Sequence, residues 1–268
     1  MYFAMDEIGT ENTETIKTIT SEEGRWRFLY DTAKSYGFDG IHLTPSLYEK
    51  SFGLDLAEIP HYFQDFKLTL HFGGLYKVTT KAEAEQFDTA LARGFEIAIK
   101  NGMHDISIHP PDCYNLSSDE REACLAFFHQ AVERWLCVAL QSNLTLSLET
   151  HVTGKYFLFD GLEAYLAFVA QHPNLGVLVD VSHNYHDGYS EDAIIHHLAD
   201  QNVTCLHISD ALQGVAEKQG THLAIGRGTI DFSKIQRGFA HIPNTYAALE
   251  VQAKNAELAN SLSMLRQA

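Results

Sequence analysis

Six apolar stretches of this chain end on a carboxylate or an imidazole: His71, His109, Glu149, Asp180 with His183 after it, His207 with Asp210 after it, and Glu250. A single buried acid or histidine is ordinarily a core residue satisfied by hydrogen bonds. Six at the same point of successive runs ask for a common cause, because each desolvated polar group costs about 1–3 kcal/mol unless it is paired. Convergence on a cation satisfies them together. Glu149, Asp180, His207 and Glu250 form a hard, mostly oxygen set suited to Mn²⁺, Mg²⁺ or Co²⁺ and tolerant of Zn²⁺. His71 and His109 add imidazoles beside Glu149, which could then bridge to a second ion of Zn²⁺ or Mn²⁺ type. The expectation is one or two divalent ions per chain.

The elements that must position these residues alternate regularly. Strand patterns occupy Phe38 to Leu43, Lys67 to His71, Asp105 to His109, Leu144 to Glu149, Leu175 to Asp180, Val203 to Ile208 and Thr245 to Val251. Helical spacing lies between them: Ala84, Phe87, Leu91, Phe95 and Ala98 recur before Gly102, and Leu125, Phe128, Val132, Trp135 and Ala139 follow a capping box at Ser117 and Glu120. Strands alternating with helices imply parallel strands joined by right-handed crossovers. At 268 residues the pattern predicts a single α/β domain over 1–268, a (β/α)₈ TIM barrel. An open doubly wound sheet is the alternative, but it leaves the coincident strand ends unexplained. The first βα unit reads as weak or irregular: Tyr2-Phe3-Ala4-Met5 is its only strand candidate, and Asp6 to Thr20 reads as a loop before a helix at Glu22 to Tyr36.

Composition narrows the partners. The net charge is −16 and Lys and Arg form no cluster, which speaks against nucleic acid, whose affinity rests on neutralising phosphates. No run approaches 18 apolar residues, so no membrane span is expected. The first ten residues carry Asp6 and Glu7 and no basic segment, unlike a secretory signal. The four cysteines show no C-x-x-C pair, and three of them sit in segments that read as helix or strand, which suits buried thiols in a reducing, cytoplasmic setting. Association with further copies of the chain stays open.

The segments L-E-T (148–150), D-V-S-H (180–183), L-H-I-S-D (206–210), H-L-A-I-G-R-G-T-I-D-F (222–232) and L-E (249–250) together resemble the xylose-isomerase-like TIM-barrel superfamily. It holds sugar isomerases and epimerases together with endonuclease IV, and the likeness runs in order over about residues 37 to 252. For the epimerases, the resemblance implies one divalent ion on Glu149, Asp180, His207 and Glu250. Glu149 and Glu250 would be the acid/base pair, and His183 would bind a substrate oxygen. The reaction expected is isomerisation or epimerisation of a small sugar, sugar phosphate or hydroxy-ketone, by proton transfer through a metal-stabilised enediolate. For endonuclease IV, it implies a zinc phosphodiesterase of nucleic acid with a first ion on His71, His109 and Glu149, a second on the four-residue set, and a third on His183, His222 and an aspartate. That aspartate falls at Gly220 here, a departure that favours the epimerase reading.

Other features carry less. Gly226-Arg227-Gly228 is a tight turn or an anion contact, with Arg227 the charged group there that could meet a sugar phosphate. Gly73-Gly74 reads as a turn, His42 as a satisfied structural histidine, His196 and His197 as solvated, and Trp26 and Trp135 as packing.

Overall fold

The computed structural model describes residues 1–73, 76–151, 157–242 and 246–268. Eight parallel strands close into a barrel in chain order: β1 (Tyr2–Met5), β2 (Gly40–Leu43), β3 (Lys67–Phe72), β4 (Asp105–Ile108), β5 (Thr145–Glu149), β6 (Gly176–Asp180), β7 (Val203–Ile208) and β8 (Tyr246–Leu249). The apolar runs form strands because both of their faces are covered, one by barrel interior and one by helices; all five residues of β6, Gly-Val-Leu-Val-Asp, are buried.

The first strand is short but complete. It pairs with β2 through Ala4 and Met5 and with β8 over its whole length, Tyr2 to Met5 against Tyr246 to Leu249, and so closes the barrel. After it comes a helix where the sequence reads as loop: α1 (Thr10–Thr18) precedes the expected α2 (Glu22–Tyr36). Only Ile16 of α1 is buried, so no apolar stripe announces it. Its start is held from the far end of the chain, where the Thr10 amide donates to the Ala253 carbonyl and the Asn12 amide to the Asn255 side chain.

The remaining α-helices among the described residues are α3 (Lys81–Lys100), α4 (Ser118–Gln141), α5 (Leu162–Val169), α6 (Val181–His186), α7 (Glu191–Leu198), α8 (Glu217–Gly220), α9 (Phe232–Phe239) and α10 (Asn255–Gln267). The Ser117–Glu120 capping box is present, and Thr80 with Glu83 makes a second at α3. By length and composition α4 could cross a membrane, contrary to the expectation from apolar runs. In this fold, though, its Cys124, Phe128, Val132, Trp135 and Ala139 are buried against the core. Cys137, on the same helix, is exposed, against the expectation of a buried thiol, while Cys124, Cys205 and the loop residue Cys113 are buried. Trp26 and Trp135 are packing residues, and His196 is exposed. Gly74 and Thr245 lie outside the described residues.

Candidate metal centre

Each strand that the sequence marks ends at one mouth of the barrel. Glu149 and Asp180 are the last residues of β5 and β6, His207 is the penultimate residue of β7, and Glu250 follows β8 directly. One ligand atom from each lies within 4.8 Å of every other, and the same holds for His71, His109 and Glu149. Glu149 belongs to both groups and turns one oxygen to each. Its Oε2 is 2.8 Å from His109 Nε2 and 3.5 Å from His71 Nε2, while Oε1 is 3.5 Å from His207 Nδ1. His183 completes the wall, with Nε2 3.2 Å from His222 Nε2 and Nδ1 3.7 Å from Asp180 Oδ2. All eight candidate metal or substrate ligands are therefore brought together.

His183 and His222 pair through their Nε2 atoms, but the contacts between the imidazoles and the carboxylates are close without being hydrogen bonds. His207 Nδ1 lies 2.9 Å from Glu250 Oε2, but neither atom has a partner of acceptable geometry. The same is true of both Glu149 oxygens, Asp180 Oδ2 and the Nδ1 atoms of His109, His183 and His222. Buried polar atoms without partners are rare, and side chains aimed at a shared point instead of at each other fit a divalent cation. The donor set is also chemically apt, oxygen-rich at one position and imidazole-rich at the other.

The outer atoms of the same side chains are held by the fold. Asp180 caps α6: its Oδ1 accepts from the His183 amide (2.7 Å) and the Ser182 hydroxyl (3.0 Å), leaving Oδ2 toward the site. His71 Nδ1 pairs with Ser107 Oγ at 2.9 Å, and His207 Nε2 with His42 Nε2 at 3.0 Å. His42 is thus buried and satisfied, as expected, and its partner is a candidate ligand.

Charge follows this geometry. Burial pushes the Glu149 carboxyl up, but the His109 and His207 imidazoles overcome it and hold the group well below the usual range. Glu250 is lowered in the same way, by His222 and His207 against its burial. Burial works against protonation of His207, yet Glu149 and Glu250 raise it well above 6.5. His71 is lowered to about 3, chiefly by burial, and is neutral. In the metal-free site His207 therefore carries a proton that a metal must expel. Metal affinity should rise by about tenfold per pH unit for one displaced proton over the range in which His207 stays protonated, a range that its raised pKa extends above 6.5. Isothermal titration with Mn²⁺ in buffers of different ionisation enthalpy measures this, and an affinity flat over that range would contradict the protonation assigned to His207.

A cavity of 280 Å³ opens over this cluster, lined by His71, His109 and Glu250 on one side and by Asp6, Glu7, Thr44 and Ser46 on the other. Asp6 and Glu7 escaped the sequence reading. They follow β1, and the strand-end rule finds them once that strand is accepted. Burial, with Glu250 nearby, raises Asp6 well above the usual range and Glu7 to about 7. His151 was likewise missed: its ring packs 4.4 Å from that of His183 and 4.8 Å from that of His109. A larger cavity, 1090 Å³, lies at the opposite mouth among Phe63, Lys67, Asp105 and Tyr246 and includes none of the ligand cluster.

Arg227 is placed away from the cluster, 69% exposed and 2.8 Å from Glu257. Its loop encloses Asp210: the amides of Gly226 and Gly228 donate to Oδ2, and those of Ala211 and Ile230 to Oδ1. The backbone donors of the glycine pair are thus already engaged by a carboxylate of the protein itself. At Gly220 an added Cβ would stand 2.8 Å from the Leu212 carbonyl oxygen and 2.6 Å from a Val215 methyl, so no aspartate fits there without moving the main chain.

Solved structures share this architecture. A D-tagatose 3-epimerase-like protein superposes with a TM-score of 0.77 at 17% identity, covering 100% of this chain and 96% of its own. An IolI protein with a bound zinc atom gives 0.75 at 14% identity over 99% and 96%. The 3-keto-D-glucoside 4-epimerase YcjR from E. coli gives 0.74 at 16% over 100% of both chains. No curated protein matches in sequence. The profile of the xylose isomerase-like TIM barrel matches residues 30–268, and with the closed barrel and its clustered strand ends this chain belongs to the xylose isomerase-like TIM barrel family.

Proposed function

We propose that the chain is a divalent-metal-dependent isomerase or epimerase of a small, uncharged sugar or hydroxy-ketone. The observation that carries this reading is a pair of carboxylates, Glu149 and Glu250, that bring oxygens within 4.8 Å of one another, with both Glu149 oxygens and Glu250 Oε2 lacking hydrogen-bond partners and Glu250 lining the cavity. Glu149, Asp180, His207 and Glu250 would hold the ion, and the shared Glu149 favours a second on His71 and His109. A bound divalent ion supplies Lewis acidity, which acidifies the C–H beside a ketose carbonyl.

The chain's own residues do the rest. Glu149 and Glu250, kept ionised by the imidazoles around them, can each accept a proton from carbon. The carboxylate that takes it can return it, or one exchanged with solvent, to carbon, and inversion of the carbon requires the other carboxylate first to take up a proton from water. His183 contributes an imidazole to a substrate oxygen. Asp6, Glu7, Thr44 and Ser46 offer hydrogen bonds to sugar hydroxyls from the opposite wall. The cavity is close to the low end of the usual range for small-molecule sites, about 300–1,000 Å³. Among the described residues none of its lining is Lys or Arg, and Arg227 pairs with Glu257; this favours a neutral substrate over a phosphorylated one. The phosphodiesterase alternative needs the third ion whose aspartate Gly220 cannot accommodate.

Metal-loaded protein incubated with a ketose panel in deuterium oxide should place one deuterium on the carbon next to the carbonyl of the true substrate. No exchange on any ketose, with cleavage of abasic-site DNA, would replace this reading with the alternative.

A further inference from the structure

Two features that stand out in the sequence have no part in the proposed chemistry: Asp210, three residues beyond His207, and the Gly226-Arg227-Gly228 segment. In the fold they form one unit. The Asp210 side chain is buried and takes four main-chain amides: Gly226 and Gly228 donate to Oδ2, each at 2.8 Å, and Ala211 and Ile230 to Oδ1 at 2.9 and 3.1 Å. Its main chain pairs with the start of the same segment. The Asp210 amide donates to the Leu223 carbonyl at 2.8 Å, and its carbonyl accepts from the Leu223 amide at 3.0 Å. One residue therefore holds residues 223–230 at both ends. The fit is close, since a Cβ added at Gly228 would run into Asp210 Oδ1 and the Ala211 carbonyl oxygen.

His222 stands next to this clasp. Its φ is 54°, a conformation that costs energy for any residue other than glycine and persists where neighbouring contacts over-determine it. Such contacts are present. The peptide unit joining residues 222 and 223 is bonded at both of its polar groups, its carbonyl accepting from the Gln252 amide at 3.1 Å and its N–H donating to Asp210. That fixes the Cα from which the ring projects. The imidazole arrives at the candidate site with Nε2 3.2 Å from His183 Nε2 and Nδ1 3.7 Å from Glu250 Oε1.

We propose that Asp210 is a positioning residue, whose clasp on residues 223–230 sets the backbone of His222 and so aims its imidazole at His183 and Glu250. The inference rests on the proposed function only in treating His222 as part of the site. The clasp needs an acceptor at both side-chain oxygens. An asparagine of the same size would set its amide hydrogens against two of the four donors and leave them unpaired in a buried place.

The test uses the full chain labelled with nitrogen-15, without metal for the spectra. In the wild type His222 should show the strong Overhauser effect between its own amide and α hydrogens that a positive φ produces. Asp210→Asn should weaken it and shift the ring signals of His222 and His183, while those of His129 and His172, a pair that touches neither, stay in place. Gly228→Ala, which crowds the clasp from the other side, should give the same shifts and decides the matter if the asparagine chain does not fold. With metal and ketose, Asp210→Asn should slow deuterium exchange about 10- to 100-fold. In a His222→Ala background it should cost nothing further, because the two residues act as one unit. Unmoved His222 signals in the folded variants, or an equal loss of exchange with and without the His222 side chain, would each overturn the proposal. Absence of exchange by the wild-type chain would instead sink the proposed function, leaving the spectra to decide this inference.

Discussion

Glu250→Gln should slow deuterium incorporation into the ketose substrate by about 10²- to 10⁴-fold, the range that a positioned acid/base group supplies. The substitution keeps size and an oxygen that can still meet a divalent ion, as amide carbonyls do, while removing the ability to accept a proton from carbon. Metal content should therefore stay near that of the wild type while exchange collapses. The carboxylate is well placed for such a role, since His222 and His207 hold it ionised against its burial. Mass-spectrometric exchange measured on metal-loaded variant and wild type side by side checks this. Undiminished exchange in a variant that retains its metal would remove Glu250 from the chemistry.

Glu149→Ala should eliminate metal-dependent stabilisation altogether. A ligand that binds only the folded chain stabilises it by about 4 kcal/mol at a concentration 1,000 times its Kd, so the wild type should melt well above its metal-free form. Because Glu149 faces both ligand groups with separate oxygens, removing it affects two positions in one substitution. His71→Ala should instead reduce the effect in part, since the four-residue set survives. Calorimetric melting of both variants with and without Mn²⁺, together with metal analysis, separates these outcomes. A full metal complement in Glu149→Ala would show that Glu149 is not the shared ligand.

The barrel and its candidate ligand cluster are legible because two patterns coincide. Parallel strands buried on both faces read as apolar runs, and such runs tolerate acids or imidazoles only where the backbone leaves the core. Glu149, Asp180 and His207 stand at that point, and Glu250 one step beyond it. The same rule places Asp6 and Glu7, but Tyr2-Phe3-Ala4-Met5 was too short to be trusted as a strand before its pairing with β8 was visible. Helix α1 escaped because its hold is long-range: the contacts that fix Thr10 and Asn12 come from Ala253 and Asn255. The sequence marks His42 as a satisfied histidine but does not name its partner. Strands β2 and β7 are not neighbours in the closed barrel, and only the shared interior brings His42 to His207. Arg227 was singled out for its charge beside two glycines; what decides its placement is Glu257 on a distant helix.

Gly220 has a consequence for redesign and for descent alike. Beside the Val215 methyl and the His186 ring, an aspartate there meets the main-chain oxygen of Leu212, which no side-chain replacement elsewhere can remove. Leu212 is moreover tied back to Gly220 by its own amide at 2.9 Å, so the obstruction and the position it obstructs move together. A single codon change therefore does not lead from this cluster to one with a further acidic ligand. The segment would have to be rebuilt first, and every intermediate in that rebuilding would have to keep a folded loop. A further acidic ligand at this position therefore calls for a rebuilt segment and not for a substitution alone.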